Sequence, residues 1–362
     1  MYWLPAILIL PYFFLLLRIS RNLYKIKPFT FSSAPSTFVS VIIATRNEQE
    51  RLPALLENLS LQDYPRELFE VIIVDDNSSD KSYETSSEYK GLRQLMVLKN
   101  EGRGKKEALR TGIIASKGRL ILTTDADCTM GKSWIKTAGA FFEKYSPDLI
   151  ISPVRLERRQ GFFGKFQELE YLSLQGITAG SAMAGNGIMC NGANLAFTRE
   201  AYLKHMDDLR FDLATGDDVF MLHSLKKDNN SCIMWLESSE SIVTTSASST
   251  VLSFIRQRKR WISKWRDYSD RFTILTGIFT FTAILLQLSV FISLFFNTSF
   301  IWLFLVILVL KSVPDYLILR NTTARYGKAE LMRWFLPAQL IYPFYVTGVI
   351  VYSMATSREK AG

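Results

Sequence analysis

Three long apolar segments near the end of the chain constrain its fold more than any other feature of the sequence. They cover 273–296, 300–319 and 334–356, and a fourth run without charge covers residues 2–17. A helix needs about 20 apolar residues to cross a bilayer, so the fourth run is short for a span. A signal peptide carries its charge before the apolar run, whereas here Arg18 follows it. We therefore expect an N-terminal membrane anchor and three further transmembrane helices.

The basic residues that flank these segments predict the orientation. A basic cluster lies within 18–27, and a basic loop, RNTTARYGKAELMR, connects the last two segments. Positive charge favours the cytoplasmic side, and four spans place both clusters on the same side. The chain between the anchor and the second span lies there too. We expect a multi-pass protein of a bacterial-type inner membrane, with a cytoplasmic domain and both termini outside.

The formal net charge of +9 raises the question of nucleic-acid binding. Much of the basic excess flanks the apolar segments, where it attracts anionic lipid headgroups. Membrane lipids, and not nucleic acid, are therefore the expected partners of these charges. Cys128, Cys190 and Cys232 are scattered without the spacing of a zinc site, which fits a reduced cytosolic domain.

Short apolar runs alternate with helical patterns in the cytoplasmic part. The runs 39–44, 70–74 and 119–124 have the composition of buried strands, and 50–62 and 102–116 have helical spacing. This alternation predicts an α/β fold with a mostly parallel, Rossmann-like sheet. Ligands bind at the carboxyl ends of strands in such sheets, and three ends carry acids or amides, in ATRNE, DDNSSD and DADC. We expect the functional site at that edge.

The sequence predicts five consecutive parts. They are 1–27 (anchor and basic flank), 28–255 (α/β domain), 256–272 (juxtamembrane interfacial helix), 273–356 (three transmembrane helices) and 357–362 (tail).

The acidic turns are the candidate ligand sites. Asp125 and Asp127 follow a strand directly, so both carboxylates can reach one hard cation, Mg²⁺ or Mn²⁺, which would bridge the oxygens of a diphosphate. The alternative is a turn that caps a helix. Asp75 and Asp76 form either a simple Asx turn or a contact to a base or ribose. Lys105, at the start of a helix, is a candidate phosphate ligand.

The order of these motifs resembles the family 2 inverting glycosyltransferases, which have the GT-A fold. The resemblance rests on ATRNE, VDDNSSD, EGRGKKEAL and LILTTDADC, and continues through NGANLAF, TGDDVFML and QRKRW, over about 39–266. Cellulose, hyaluronan and poly-GlcNAc synthases and ceramide glucosyltransferases carry similar motifs. The resemblance implies a nucleotide diphosphate sugar as donor.

Individual roles carry over by the same resemblance. The nucleotide-binding turns match Thr45, Glu48 and Asp76, with Asp75 beside them, and the metal-binding DxD matches Asp125 and Asp127. The general base of the family lies in a Glu-Asp pair, matched here by Asp217 and Asp218, and the residues that follow favour Asp218. Asn191 and Gly192 in NGANLAF lie where the family contacts the acceptor.

A final motif lies just before the second apolar segment. Gln257, Arg260 and Trp261 match the QxxRW signature, in which the Gln and Arg bind the diphosphate and the Trp forms a platform for the acceptor sugar. Helical spacing places these three and Lys264 on one side of a helix. We expect the other polar and aromatic residues, Arg258, Lys259 and Trp265, to face lipid headgroups.

The sequence therefore predicts a membrane-bound inverting glycosyltransferase that acts on a lipid or lipid-linked acceptor. One alternative, which the QxxRW motif favours, is a processive polysaccharide synthase. A second alternative is a non-catalytic scaffold that binds a sugar nucleotide. Two observations are left open. The segment FQELEYL (166–172) either packs against a membrane-proximal helix or contacts the acceptor, and Lys311 either pairs with Asp315 or meets an anionic lipid headgroup.

Overall fold

The computed structural model describes residues 4–31, 34–213, 215–228 and 230–358. The chain forms two compact units, each made of non-consecutive segments. The α/β unit comprises Lys27–Glu157 and Met189–Ser246, and the helical unit comprises Met1–Ile26, Arg158–Ile188 and Ala247–Gly362. The division into five consecutive parts stays a prediction, and the helical unit includes two segments, 158–188 and 247–255, that lie within the predicted α/β part.

Ten strands lie within the described residues, all of them in the α/β unit. They are β1 Val39–Thr45, β2 Phe69–Asp75, β3 Leu95–Lys99, β4 Leu120–Thr123, β5 Thr129–Met130, β6 Leu149–Ile151, β7 Val154–Leu156, β8 Leu195–Thr198, β9 Ile233–Trp235 and β10 Val243–Thr245. The predicted strands at 39–44, 70–74 and 119–124 correspond to β1, β2 and β4, and are confirmed.

The main sheet has seven strands in the order β3-β2-β1-β4-β8-β6-β9. Strands β3, β2, β1 and β4 are parallel, whereas β8 runs antiparallel between β4 and β6. The sheet is buried because β1 and β2 are continuous apolar runs, as expected for parallel strands covered on both faces. A second sheet pairs three short strands in the order β5-β10-β7. The α/β fold with a mostly parallel sheet is confirmed.

Among the described residues of the α/β unit, six α-helices accompany the strands: α3 Leu52–Ser60, α4 Ser82–Ser87, α5 Lys105–Ala115, α6 Trp134–Tyr145, α8 Arg199–His205 and α9 Asp217–Lys227. Helix α5 lies very close to β1 and β2 through Gly112. A Cβ atom at this position would lie 2.7 Å from Ile42 Cγ2 and 3.1 Å from Val74 Cγ2. The glycine thus lets the helix approach the sheet, and this approach places the N-terminus of α5 near the strand ends.

The helical unit contains seven helices among the described residues: α1 Leu4–Leu8, α2 Leu10–Lys25, α7 Gly161–Met183, α10 Val251–Ile262, α11 Arg271–Ser293, α12 Ile301–Arg325 and α13 Phe335–Arg358. In the part of the chain that the structure describes, four segments are long and apolar enough to cross a membrane: Pro5–Lys25, Arg271–Ser293, Thr298–Arg325 and Ala329–Thr356. They overlap the four apolar runs of the sequence, so the expected apolar helices are confirmed.

Helix α7 packs against α2 and α12 of this apolar bundle. A Cβ atom on Gly180 would lie 2.5 Å from the carbonyl oxygen of Ile19, and one on Gly176 would lie 2.6 Å from Ile318 Cγ2. The two glycines, one helical turn apart, therefore allow the backbones to approach closely. The segment 166–172, for which packing and acceptor contact were both open, lies on this helix and is mostly buried.

A buried polar cluster joins α2, α12 and α13 inside the helical unit. The Lys311 ammonium donates to Asp315 Oδ2 (2.9 Å) and to Gln339 Oε1 (2.8 Å), and Lys311 is 1% exposed. The Gln339 amide and the Tyr12 hydroxyl also donate to Asp315. Of the two possibilities left open by the sequence, the structure has the Lys311–Asp315 pair.

Candidate active site

The carboxyl ends of β2, β1 and β4 lie side by side at one edge of the main sheet. Thr45 and Asp75 are register partners at the ends of β1 and β2, and are 2% and 5% exposed. Within the described residues Thr45 Oγ1 and Asp75 Oδ1 are buried without a hydrogen-bond partner. Buried polar atoms are normally paired, so an unpaired donor and acceptor side by side indicate a place where a ligand completes the bonding.

Asp76 holds the loop that follows β3. Its Oδ1 accepts hydrogen bonds from Asn100 Nδ2 (2.7 Å) and from the backbone N–H of Gly104 (2.8 Å). The side chain of Arg46 lies 3.7 Å from the other oxygen. Gly104 has φ +94°, a conformation that glycine adopts readily, and it immediately precedes α5. Asp76 thus fixes the position of Lys105 at the start of α5.

Glu48 lies in the turn after β1, as expected. Its carboxylate accepts a hydrogen bond from Arg51 (3.0 Å), and its backbone N–H donates to Ser82 Oγ (2.7 Å). The latter bond ties the turn after β1 to the start of α4. The two predicted nucleotide-binding turns therefore form one hydrogen-bonded surface at the sheet edge.

Lys105 lies in a group of three carboxylates from distant parts of the chain. Its ammonium donates to Asp125 Oδ1 at 2.5 Å. A Cβ atom on Gly192 would lie 3.8 Å from Lys105 Nζ and 3.5 Å from Asp217 Oδ2. The backbone N–H of Gly192 donates to Asp218 Oδ2 (3.2 Å). The structure thus brings Lys105, Asp125, Gly192, Asp217 and Asp218 together.

The pKa values of two members of this group are shifted. Burial would lower the pKa of Lys105, but the charges of Asp125, Asp217 and Asp218 raise it overall, so this lysine keeps its proton. Burial raises the pKa of Asp217, and Asp218 and Asp125 raise it further, while Lys105 opposes them. Asp217 thus holds a proton more readily than an ordinary aspartate.

Asp218 is fixed by backbone donors at the start of α9. Besides the bond from Gly192, its Oδ1 accepts from its neighbour Val219 N–H at 2.7 Å. Asp217 and Asp218 both lie in the first turn of α9, where helix N-termini favour acidic side chains. Asp218 and Asp217 also line a small cavity together with apolar side chains, among them Leu195 and Met221.

The other half of the DxD sequence has different neighbours. Asp127 Oδ2 accepts a hydrogen bond from Thr245 Oγ1 (3.1 Å), and the Cys128 thiol lies 3.8 Å from Asp127 Oδ1. Burial, helped by the charges of Asp125 and Asp127, raises the pKa of Cys128 to about 12, so this thiol is not a thiolate ligand at neutral pH.

The carboxylates fit a divalent ion only if a substrate completes the coordination. No group of three or more His, Cys, Asp or Glu side chains able to hold a metal occurs in the described part of the chain. Mg²⁺ is commonly held by one or two carboxylates together with substrate phosphates and water. Asp125 and Asp127 fit this mode, with the phosphates of a ligand as the remaining donors.

Hydrogen bonds within the α/β unit anchor the predicted acceptor loop, NGANLAF (191–197). Asn191 caps the short 3₁₀ turn Gly192–Asn194, and its Oδ1 accepts a hydrogen bond from the backbone N–H of Ala193 (3.0 Å). Asn194, which the sequence did not single out, donates to the carbonyl oxygens of Pro153 and Ser241 (both 2.7 Å) and accepts from Trp134 Nε1 (2.9 Å). The sequence NGANLAF contains two amides, Asn191 and Asn194, and these could have indicated the anchoring role of Asn194. Only Asn191 was predicted to have a role.

The QxxRW residues Gln257, Arg260 and Trp261 belong to α10 of the helical unit. Lys264 follows in a 3₁₀ turn after the helix has ended at Ile262. The expectation that Arg258 faces lipid headgroups is wrong. Arg258 is 4% exposed because it pairs with the buried Glu170 of α7, whereas Trp265 is 54% exposed as expected.

Comparisons with known proteins agree with this architecture. The sequence model described as Glycosyl transferase family 2 matches residues 40–206. Among solved structures, a mannosyltransferase from Pyrobaculum calidifontis, in complex with GDP-Man and Mn²⁺, has a TM-score of 0.60 and 18% identity, covering 98% of this chain and 99% of that one. At this identity the likeness shows the fold.

Two curated relatives are similar in sequence. The beta-monoglucosyldiacylglycerol synthase of Trichormus variabilis is 28% identical over 64% of this chain and 51% of its own length. The undecaprenyl-phosphate 4-deoxy-4-formamido-L-arabinose transferase of Edwardsiella ictaluri is 31% identical over 42% of this chain and 47% of its own length. The chain thus spans about half the length of these relatives.

The fold of the chain is of the GT-A class. Residues 40–206 are similar to glycosyl transferase family 2.

Proposed function

We propose that this protein is a membrane-bound inverting glycosyltransferase that moves a sugar from a nucleotide diphosphate sugar to a lipid or lipid-linked acceptor. The observation that carries the proposal is the group of Lys105, Asp125, Asp217 and Asp218 at the sheet edge. Relatives named for lipid or lipid-phosphate substrates support the acceptor class. Four helices long enough to span a membrane support a multi-pass location, with the α/β unit in the cytoplasm of a bacterial-type inner membrane.

In this mechanism Asp218 is the general base. It accepts the proton of the acceptor hydroxyl while that oxygen forms a bond to the anomeric carbon, and the bond from that carbon to the diphosphate breaks with its electron pair. A positioned base of this kind contributes about 10²- to 10⁴-fold to the rate. We assign the base to Asp218 because backbone donors hold its carboxylate in place.

The donor is bound by the remaining residues of the sheet edge. Thr45 and Asp75 offer a buried donor and acceptor to the nucleotide, with Glu48 and Asp76 holding the surrounding turns. Asp125 and Asp127 would hold a divalent ion, Mg²⁺ or Mn²⁺, together with the diphosphate. When bound, this ion supplies positive charge to the leaving group.

Residues of the helical unit and of the acceptor loop have further proposed roles. Gln257 and Arg260 bind the diphosphate, since a guanidinium engages two phosphate oxygens at once. Trp261 supplies an apolar face for the acceptor, and Asn191 and Gly192 shape the loop beside Asp218.

The proposal is tested with membranes containing the protein and a panel of UDP-glucose, UDP-GlcNAc and GDP-mannose, each with Mg²⁺ or Mn²⁺. We expect release of nucleoside diphosphate and a lipid fraction heavier by one sugar. Long polymer in place of a glycolipid would favour the processive polysaccharide synthase. Neither release nor product with any donor, from a correctly folded protein, would contradict the proposal.

A further inference from the structure

Arg258, the residue that follows Gln257 in the QxxRW segment, has a role that the motif does not describe. We propose that Arg258 is a positioning residue, which holds the side chains of Gln257 and Trp261 in the orientation needed for donor binding. This inference rests on the proposed function, because it concerns how the donor diphosphate is recognised. All contacts that carry it lie within the helical unit.

Arg258 is anchored by a buried carboxylate. Its Nε donates to Glu170 Oε1 (2.8 Å) and its Nη2 donates to Glu170 Oε2 (2.5 Å). The side chains of Arg258 and Glu170 are 5% and 6% exposed. The hydroxyl of Tyr345, on α13, donates to Glu170 Oε1 as well (3.2 Å). The two-pronged bond fixes the plane and the direction of the guanidinium.

The Arg258 guanidinium also determines which end of the Gln257 amide can contact a ligand. Its remaining terminal nitrogen, Nη1, donates to Gln257 Oε1 at 2.5 Å. A guanidinium has no acceptor, so the atom that faces it must be the amide oxygen. The amide nitrogen of Gln257 therefore points away from Arg258. A glutamine held in this way is a hydrogen-bond donor, which is the group that a phosphate oxygen requires.

The same guanidinium lies against two aromatic rings of α10. Its central carbon is 4.0 Å from the ring centre of Trp261 and 4.4 Å from that of Phe254. Helical spacing of three and four residues brings these side chains to the same side as Arg258. A cation over the face of a tryptophan is attracted to it, so Arg258 also fixes the plane of the proposed acceptor platform.

These contacts need arginine specifically. One guanidinium makes two bonds to Glu170, one bond to Gln257 and two ring contacts at the same time. A lysine at this position keeps the charge opposite Glu170 but lacks the planar fork and the third bonding direction. Arg258→Lys therefore separates the positioning role from the need to neutralise a buried carboxylate.

The test measures binding of UDP and GDP, each with Mn²⁺, to the full-length purified chain by titration calorimetry, together with the KM for the sugar donor. We expect Arg258→Lys to weaken binding and to raise KM about tenfold, the size of one lost hydrogen bond to a charged group. The matched control is Arg256→Lys, the same change at an exposed residue of the same helix, which we expect to bind like the wild type.

A double variant distinguishes positioning from a general structural effect. If Arg258 acts through Gln257, Arg258→Lys weakens nucleotide binding much less in a Gln257→Ala background than in the wild type. Full additivity of the two changes, or Arg258→Lys binding as tightly as Arg256→Lys, would overturn the inference.

A second variant leaves the buried pair untouched, in case Arg258→Lys does not fold. Gln257→Glu keeps an acceptor for Arg258 but removes the outward donor, so we expect wild-type thermal stability with binding as weak as in Gln257→Ala. Gln257→Glu binding as tightly as the wild type would contradict the proposed donor role. If the wild-type chain itself bound neither UDP nor GDP, the proposed function would fail, and this inference with it.

Discussion

At the residue scale, Asp217 and Asp218 show how neighbouring carboxylates acquire different properties. Both begin α9, yet burial and two nearby carboxylates raise the pKa of Asp217. Asp218 instead accepts backbone hydrogen bonds from Gly192 and Val219. Different surroundings of two neighbouring carboxylates are a common basis for distinct roles in one active site.

The assignment of the base predicts the effect of Asp218→Asn. We expect kcat to fall by about 10²- to 10⁴-fold with donor binding retained, because the amide cannot accept the proton. Initial rates of nucleoside diphosphate release and calorimetric binding of UDP or GDP measure the two effects separately. Asp207→Asn, at an exposed aspartate of the same unit, is the control. An equal loss in Asp217→Asn alone, with Asp218→Asn active, would move the role to Asp217.

The raised pKa of Asp217 predicts a dependence of stability on pH. The folded state binds this proton more tightly than the unfolded state does, so its contribution to stability is present below the unfolded pKa and is lost as pH rises through the folded pKa. Asparagine does not titrate, so Asp217→Asn removes this loss of stability with rising pH. We expect the variant to gain stability over the wild type as the pH rises from acidic to neutral.

Thermal unfolding of both proteins across that pH range measures the gain. A difference in thermal stability between the two proteins that does not change with pH, or a gain of the variant confined to acidic pH, would contradict the raised pKa of Asp217.

Some site residues were predictable because their signal is local, and others were not. Asp125 directly follows a buried apolar strand, and Asp217 and Asp218 lie in a recognisable motif. Arg258 was predicted to lie at the surface, because helical spacing alone separates it from Gln257 and Arg260. Its partner Glu170 is 88 positions away, and no local pattern connects the two residues.

At the element scale, the packing of helix α7 depends on two glycines, Gly176 and Gly180. A Cβ atom on Gly180 would lie 2.5 Å from the Ile19 carbonyl oxygen, closer than such atoms approach in proteins. We expect Gly180→Ala to destabilise the fold by about 1–3 kcal/mol, since one helix must move away from the other. Gly277→Ala on α11, where a Cβ atom would have no neighbour within 4 Å, is the matched control.

Alanine favours a helix over glycine by about 0.5–1 kcal/mol, so the control variant is expected to be neutral or slightly stabilised. Thermal unfolding in detergent compares the two variants. Equal stability of Gly180→Ala and Gly277→Ala would show that α2 and α7 do not pack as closely as described.

The elements themselves were largely predictable, whereas their grouping was not. Continuous apolar runs identified β1, β2 and β4, because each such strand is buried on both faces. For α7 the sequence offered packing of residues 166–172 against a membrane-proximal helix as one of two possibilities, but it did not assign the whole helix to the helical unit. The packing role of Gly176 and Gly180 is recognisable only in the structure, because Ile318 and Ile19, which contact them, come from distant parts of the chain.

At the scale of the whole molecule, the buried cluster around Lys311 holds three apolar helices together. Lys311 and Asp315 neutralise each other, and Gln339 and Tyr12 complete the hydrogen bonds of the carboxylate. Removal of one member of a buried pair leaves an uncompensated charge. We expect Lys311→Met to destabilise the protein by about 3–5 kcal/mol.

The double variant Lys311→Met with Asp315→Asn is expected to recover part of this loss, because the unpaired charge is gone. Thermal unfolding in detergent measures both proteins. A fully stable Lys311→Met that loses activity only towards a lipid-phosphate acceptor would instead favour the alternative that Lys311 meets a headgroup.

The helical unit joins residues that are made at very different times. The separation is 88 positions between Glu170 and Arg258 and 160 positions between Glu168 and Lys328. Because synthesis runs from the N-terminus, Glu170 leaves the ribosome well before Arg258, and Glu168, which also pairs with Lys165 (3.2 Å), leaves it well before Lys328. A buried carboxylate without a partner is costly, so α7 reaches its final place only after those later residues have been made. A chain that ends before Arg258 therefore has Glu170 without its basic partner.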